Sequence, residues 1–322
     1  MGFCSTICRD EAWASYHQSE CGLTDLLHRA KVGNHGLLAL RTVLKVDRQI
    51  LANVRDESPL DCVYDSTDYG TIHRLVGNTC QRSVADLFRR AVMAVYLTSL
   101  IRQGDPDPLL ASTVLRLLQS FPCNAHEIAH IAVPPPSAEP CKLQQVRLTE
   151  IGSAAMPVLS LINHSCDPNV TRVCYGDVVV VKVIRPIGRG EEILDNYGYH
   201  FAIHERSQRQ SKLESQYYFR CNCPPCAQDW PLYGETPRLG SRADLSDAFL
   251  KDMDDYMTLP CYPNDQSKLE EYASKFMGYI DAIEADPLIR LPVWEYNGAQ
   301  EAMKHCFVLL ATLSPHVEPP TC

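Results

Sequence analysis

Three thiols within six residues, Cys221-x-Cys223-x2-Cys226, restrict the folding of this chain more than any other stretch. A structural tetrahedral zinc takes four ligands, chiefly Cys and His, so a run of three asks for a fourth from elsewhere. Cys166 is the candidate. It ends the apolar run Leu159-Ser160-Leu161-Ile162-Asn163-His164-Ser165-Cys166 and precedes the turn signal Asp167-Pro168-Asn169. Pro224-Pro225 shapes the bend between the last two thiols. A metal held by all four would pin the tail after Tyr217 against the Asn163-His164 loop, with a binding energy on the order of 10 kcal/mol acting as folding energy. A third stretch, Glu191-Glu192-Ile193-Leu194-Asp195-Asn196-Tyr197-Gly198, is expected to fold back on the same loop.

The chain has 322 residues, room for two or three domains, and its 45% hydrophobic and 21% charged residues are ordinary for a soluble globular protein. No apolar run approaches the ~20 residues of a membrane helix. The first residues lack the basic start and long apolar stretch of a signal peptide. The fifteen cysteines therefore imply a reducing compartment, where clustered cysteines are metal ligands more often than disulfides. Scattered ones (Cys62, Cys80, Cys174, Cys261, Cys306) are expected as small buried hydrophobes. A net charge of −9 argues against a general nucleic-acid binder and is compatible with a basic peptide partner.

At the start, Cys4-x3-Cys8 is followed by Trp13 and by His17-x3-Cys21, spacings that suit zinc on a short helix. The four can meet as one Cys3His centre; the alternative is four unrelated residues in a helical segment. Met1-Gly2 with Thr6 also fits the outline of an N-myristoylation signal, a short pattern set against the zinc reading.

The middle reads as helical. Leu37, Leu38, Leu40, Val43, Leu44 and Val46 give residues 34–54 a helix-like spacing. Val84, Leu87, Phe88, Ala91, Val92, Val95, Tyr96 and Leu100 mark 83–102 as an amphipathic helix that serves as core scaffolding. A second helix is expected over about 109–120. The run Val133-Pro-Pro-Pro to Pro140 is expected as an exposed loop, with a polyproline partner segment as the other reading. Further on, Val178–Ile184 is a β-branched strand and Glu191–Tyr197 reads as another. Glu191 and Glu192 are expected as solvated charges rather than a catalytic pair. After a polar linker at about 234–243, Leu269, Tyr272, Ala273, Phe276, Met277, Ile280 and Ile283 mark one helix. Ala302, Met303, Cys306, Leu309, Leu310 and Leu313 mark another, a pair of tetratricopeptide-like kind. Asp252, Asp254 and Asp255 are expected as a solvated helix face, with attraction of basic peptides as the alternative.

In this order, Asn163-His164-Ser165-Cys166-Asp-Pro-Asn169, Gly190-Glu-Glu-Ile-Leu-Asp-Asn-Tyr197 and the Cys-x-Cys-x2-Cys tail resemble a SET domain with its post-SET zinc. The start resembles the C-terminal half of a MYND finger, so the chain is similar to the Smyd family of protein methyltransferases. Tyr197-Gly-Tyr-His200 and Gln216-Tyr-Tyr-Phe219 point to its tetratricopeptide-containing member. The resemblance implies an α+β fold: a partial MYND finger at 1–21, a SET domain at 22–212 with a helical insert at about 80–147, a post-SET segment at 213–232, and a helical region at 240–322. It implies a knotted β fold in which 193–197 passes beside or through the Asn163 loop. Its cofactors would be S-adenosylmethionine and Zn2+, and its acceptor a lysine side chain of a protein substrate, histone or not. By the resemblance, Asn163 and His164 hold the amino-acid end of the cofactor, Asn124 and Ser160 add contacts, and Phe219 packs on adenine. Tyr197 lies beside the transferring methyl, and Tyr217 forms an aromatic wall of the lysine channel. Cys4 and Cys8 would serve one finger zinc, and His17 and Cys21 another.

The resemblance also carries a cytoplasmic and nuclear location and a Pro-rich peptide partner at the finger, with no direct nucleic acid and no membrane. The chain departs from the pattern in two ways. The finger's four preceding cysteines and the Gly-containing SET strand that the family places before it do not stand in 1–21, so the chain is read as N-terminally truncated, the other reading being that its first residues do not form the family's finger. His126 stands where the lysine channel has an aromatic, which implies an altered methyl-state preference or weaker binding. A non-catalytic adaptor that keeps the fold is the rival function.

Overall fold

Helix capping shows how local sequence lays out the first half. Asp107 accepts hydrogen bonds from the N–H groups of Leu109 (2.9 Å) and Leu110 (3.4 Å), and Pro108 occupies the first turn, so the Pro108–Asn124 helix starts where its orphan donors are satisfied. The computed structural model describes residues 5–54, 65, 67–102, 104–132, 147–176, 178–259 and 266–313. Cys4, the Met1-Gly2 pattern, Cys62, Cys261 and the proline run at 133–140 lie outside them.

The chain forms two compact units. One comprises Met1–Glu127, Gly152–Leu161 and Gln216–Tyr218; the other comprises Ile128–Ile151, Ile162–Ser215 and Phe219–Cys322. The core of the first unit joins Ala39, Leu40 and Val43 of the Gly33–Lys45 helix to Val114, Leu117 and Phe121, with Ala94 and Leu97 of the Val84–Arg102 helix. Two expectations are corrected here. Residues 34–54 form two helices, Gly33–Lys45 and Arg48–Asn53, because Asp47 accepts from Gln49 N–H (2.7 Å) and starts a new helix. Half of the apolar stripe assigned to the core of the 84–102 helix is on the surface: Val84 is 83% exposed and Phe88 67%, and Val92 and Val95 are exposed too, whereas Tyr96 and Leu100 are half-buried against the core. The face with small Ala94 and Thr98 beside Leu97 is buried instead, which lets the neighbouring helix approach closely.

Six strands are described. β1 (Ala125–Ala132) pairs with β2 (Arg147–Ala155), and β3 (Asn163–His164) pairs in parallel with β6 (Leu194–Asp195). β4 (Val170–Tyr175) and β5 (Val178–Val183) form an antiparallel hairpin with Val170 opposite Val183. The strand expected over 191–197 shrinks to β6. Asn169 accounts for the difference: its Nδ2 donates to Glu192 O (2.8 Å) and its Oδ1 accepts from Leu194 N (2.7 Å), so a side chain replaces ladder bonds before residue 194.

In the second unit the Gln266–Ala285 and Trp294–Leu313 helices pack as a pair through Leu269, Ala273, Phe276, Ile280, Ala302, Met303, Cys306 and Leu309. The helix face expected at Asp252, Asp254 and Asp255 belongs to a third helix, Ala243–Met257, whose extent went unmarked although Phe249 and Tyr256 recur at helical spacing and are fully buried. Its Asp252 is not a solvated charge: it accepts from Tyr279 Oη (2.7 Å) and pairs with Lys275 Nζ (3.2 Å). Of the scattered cysteines, Cys306 is buried as expected. Cys80 is exposed on a short 3-10 turn, and Cys174 is half-buried on β4, whose buried positions are Val170 and Val173. Among the described residues no helix is long and apolar enough to cross a membrane.

Candidate active site

In the second unit, the sulfurs of Cys166, Cys221, Cys223 and Cys226 all lie within 4.8 Å of one another, and all but Cys223 are buried. The local chain explains the arrangement. Cys223 precedes the Pro224–Ala227 helical turn, whose prolines occupy the first positions, so Cys223 and Cys226 share a side one turn apart. Gln210 fastens Cys221 twice, donating to its carbonyl (2.6 Å) and accepting from its N–H (3.1 Å). Cys166 N–H donates to Cys223 Sγ (3.4 Å), and the Cys166 and Cys226 sulfurs are 3.5 Å apart.

A tetrahedral zinc at about 2.3 Å from each thiolate would place its sulfurs roughly 3.8 Å apart, so the four cysteines fit such an ion. Ionised together, four sulfurs this close would repel one another unless a cation lay between them. The Cys166 thiol is pushed far up by its hydrogen bonds to Cys221 and Cys223 and by burial, while Cys223 is pushed far down because the Cys166 and Cys221 thiols donate to it. Arg209 adds a positive charge that sequence reasoning missed. It is fully buried, and its Nη2 donates to Pro225 O (3.2 Å) and lies 3.8 Å from Cys226 Sγ. An arginine in a polar helix gives no sequence signal of burial.

His164 borders this cluster. Its Nδ1 accepts from Tyr197 N–H (3.1 Å), and its Nε2 lies 3.4 Å from Cys166 Sγ. Burial holds its pKa down to about 4, so the ring is neutral, and acceptance at Nδ1 leaves the proton on Nε2, toward the sulfur. Tyr197 follows β6, and Gly198 at φ +99° lets the chain turn directly after it. Tyr197 Oη donates to Ile162 O at 2.7 Å, and burial pushes its pKa up to about 12. Phe219 completes a group of three rings, with centroids 6.0 Å from His164 and 6.4 Å from Tyr197; His164 and Tyr197 are 5.1 Å apart. Asn163 is exposed at the edge of this group and donates to Glu192 Oε1 (2.6 Å). A second residue missed from sequence, Arg172, braces the loop from β4: its Nε pairs with buried Asp195 Oδ2 (2.8 Å), and its Nη2 donates to Asn196 O (3.2 Å).

Asn124 and Ser160 lie in the first unit, where they form their own cluster. Asn124 Nδ2 donates to Val76 O (2.8 Å) and Ser120 O (2.7 Å). Ser160 Oγ donates to Asn124 O (2.8 Å) and meets His126 Nε2 at 3.1 Å. Tyr217 is in the same unit, half-buried at the last residue of the Arg206–Tyr217 helix. Near the start, Cys8 sits half-buried on the Thr6–Ala12 helix, His17 is buried and Cys21 is exposed. Among the described residues, these three are not gathered into a metal-ligating group.

The SET domain family matches residues 6–198, more than half of the chain. Among individual proteins, the chain is 29% identical over 302 residues to "Protein-lysine N-methyltransferase SMYD4" of Danio rerio, covering 70% of this chain and 39% of that protein. The human protein of that name is 26% identical over 306 residues, with 73% and 37% covered. "Histone-lysine N-methyltransferase ASHR1" of Arabidopsis thaliana is 26% identical over 225 residues, with 70% and 42% covered. The chain thus spans about two fifths of the length of these relatives. With His164, Cys166 and Tyr197 inside the matched span and Cys221, Cys223 and Cys226 beyond its end, the chain belongs to the SET domain family and is similar to SMYD4 proteins.

Proposed function

We propose that this chain is a protein-lysine methyltransferase that uses S-adenosylmethionine, with a structural zinc on Cys166, Cys221, Cys223 and Cys226. The observation that carries the proposal is the ring group His164, Tyr197 and Phe219, set against the four-thiol cluster and joined to it through His164. The residues fit the cofactor's chemistry. S-adenosylmethionine, when bound, supplies an electrophilic methyl on a positively charged sulfur. The three rings offer a stacking surface for adenine beside Phe219, and the Glu192 carboxylate next to Asn163 suits the ammonium group of the cofactor's zwitterionic amino-acid end. Asn124, Ser160 and Tyr217 keep their proposed contacts on the resemblance alone, as do the finger zinc ligands Cys4, Cys8, His17 and Cys21.

Methyl transfer to lysine needs a neutral amine, and a free lysine has a pKa of about 10.4. Aromatic surroundings favour the neutral form by desolvating the ammonium. Tyr197 does not serve as a base at neutral pH, because its own pKa is pushed up to about 12. Its hydroxyl proton is directed to Ile162 O, which leaves the phenol oxygen as an acceptor that orients the incoming group. Calorimetry with S-adenosylmethionine and transfer of labelled methyl to protein extracts test the proposal. Binding with label on lysine supports it. Binding without transfer to any protein favours an adaptor, and no binding at all sinks it.

A further inference from the structure

At the end of the Arg206–Tyr217 helix, Tyr218 takes φ +62°, in the left-handed region. Helices commonly end on such a residue, but it is usually glycine, because a Cβ there crowds the following carbonyl. A tyrosine persists in this conformation only where its surroundings hold it. Arg82 does the holding, within the same unit. Its side chain is 2% exposed, and its guanidinium lies 5.2 Å from the centre of the Tyr218 ring. Nη1 donates to Tyr218 Oη (3.0 Å) and to Asp86 Oδ2 (3.0 Å). Nε donates to Gly77 O (2.8 Å), and Nη2 donates to Gln119 O. The guanidinium is thus anchored to three separate points and presses on the strained residue from a fourth. On the other side of Tyr217, Gln216 O accepts from Cys123 Sγ (3.3 Å), and Gln216 Nε2 donates to Pro122 O (3.3 Å). The segment Gln216–Tyr218 is fastened at both ends, with Tyr217 between the fasteners.

We infer that Arg82 is a positioning residue: by clamping Tyr218 in a left-handed turn, it fixes the direction in which Tyr217 presents its ring to the substrate lysine. The role of the ring rests on the proposed methyltransferase function; the clamp rests on the contacts around Tyr218. Strained backbone of this kind gathers at functional sites, where orientation matters more than local stability. A methyl acceptor must be aligned to within a fraction of an ångström, so a wall with fixed direction acts on positioning.

The test compares Tyr218→Phe, Arg82→Lys and the double variant Arg82→Lys with Tyr218→Gly. Tyr218→Phe keeps the ring and removes one bond, so it folds even if a change at buried Arg82 does not. It is expected to speed amide exchange over residues 216–220 and to raise the peptide KM about tenfold, with cofactor affinity unchanged. Glycine holds the turn unaided, so the double variant recovers peptide KM relative to Arg82→Lys. A purely structural role of Arg82 among Gly77, Asp86 and Gln119 predicts no recovery, and that result overturns the inference. Unchanged exchange in Tyr218→Phe also overturns it. Should the parent chain transfer no methyl, the exchange measurement still decides the clamp, and only the methyltransferase proposal falls.

Discussion

The main-chain N–H of Tyr197 donates to His164 Nδ1 at 3.1 Å, and the far nitrogen of that same imidazole meets Cys166 Sγ at 3.4 Å. One neutral ring therefore connects the proposed methyl-transfer tyrosine to the thiol cluster. The parallel pairing of β3 with β6 sets this up, because it places His164 opposite Asp195, two residues before Tyr197. His164→Ala would leave the Tyr197 N–H and the Cys166 sulfur without this partner. Cofactor affinity is expected to fall roughly tenfold, the consequence of a lost buried hydrogen bond, while zinc content stays at the parent level. Calorimetry alongside metal analysis checks both; unchanged affinity would remove the link.

The thiol cluster should behave as a folding element. Cys226→Ser, or a chelator strong enough to strip the ion, is expected to release metal and to lower stability by several kcal/mol, since structural zinc contributes on the order of 10 kcal/mol in small domains. Arg209 would then be a buried cation beside a depleted cluster, which adds to the loss. Parallel metal analysis and thermal unfolding report the effect. A parent protein that purifies without metal yet unfolds cooperatively at the same temperature with and without chelator would refute the assignment.

Much of this site was legible in the chain because the thiols, the prolines between them and the Asn163-His164 pair stand at telling spacings. Cys166 and the 221–226 run could be joined on coordination chemistry alone, and the structure brings their sulfurs together. Periodicity misled where a helix is apolar on more than one side. In Val84–Arg102 the larger residues won the sequence reading, yet the face with Ala94 and Thr98 is the one that packs. Arg82, Arg172 and Arg209 were illegible for a different reason. A buried arginine is specified by the carbonyls and carboxylates that meet it in space, and those partners are scattered along the sequence.

Tyr197→Phe should leave the fold intact and reduce transfer, since the hydroxyl's bond to Ile162 O is lost. The parent protein gives a second check. Burial, reinforced by the charge on Asp195, pushes the Tyr197 pKa up to about 12, against about 10 in an unfolded chain. A group with a raised folded pKa stabilises the fold fully below its unfolded value and loses that contribution as pH climbs through the folded one. Stability from this tyrosine is thus constant to about pH 10 and declines toward pH 12. Ultraviolet titration of parent and Tyr197→Phe proteins should differ by one phenol ionising late. A difference already complete near pH 10 would show the hydroxyl to be solvated.

Arg172 is expected to matter most at neutral pH. Burial raises the Asp195 carboxyl pKa, and the Arg172 charge opposes that rise. Arg172→Ala takes the opposition away, and the ionised carboxylate then costs about 2 kcal/mol of stability. The sign follows from linkage: a carboxyl raised above its unfolded pKa favours the fold when protonated, and that favour is lost as pH rises through the folded value. The penalty of Arg172→Ala should therefore shrink as pH falls toward the ordinary carboxylate range, and Arg172→Lys should show a smaller penalty throughout. Denaturant unfolding at several pH values measures this. A penalty that does not vary with pH would show that the arginine contributes packing rather than charge.

The two faces of the Val84–Arg102 helix give the sharpest contrast in stability. Phe88 is 67% exposed, so Phe88→Ser removes little buried area and is expected to change stability by no more than about 0.5 kcal/mol. Leu97 is fully buried among Ala94, Val114, Leu117 and Phe121, and Leu97→Ala opens a cavity there, with a cost of roughly 2–5 kcal/mol. Chemical unfolding of the two variants side by side decides the orientation of the helix. A large loss from Phe88→Ser with a small one from Leu97→Ala would return the helix to the orientation its hydrophobic spacing first implied, and the packing of Ala94 against the neighbouring helix would no longer hold.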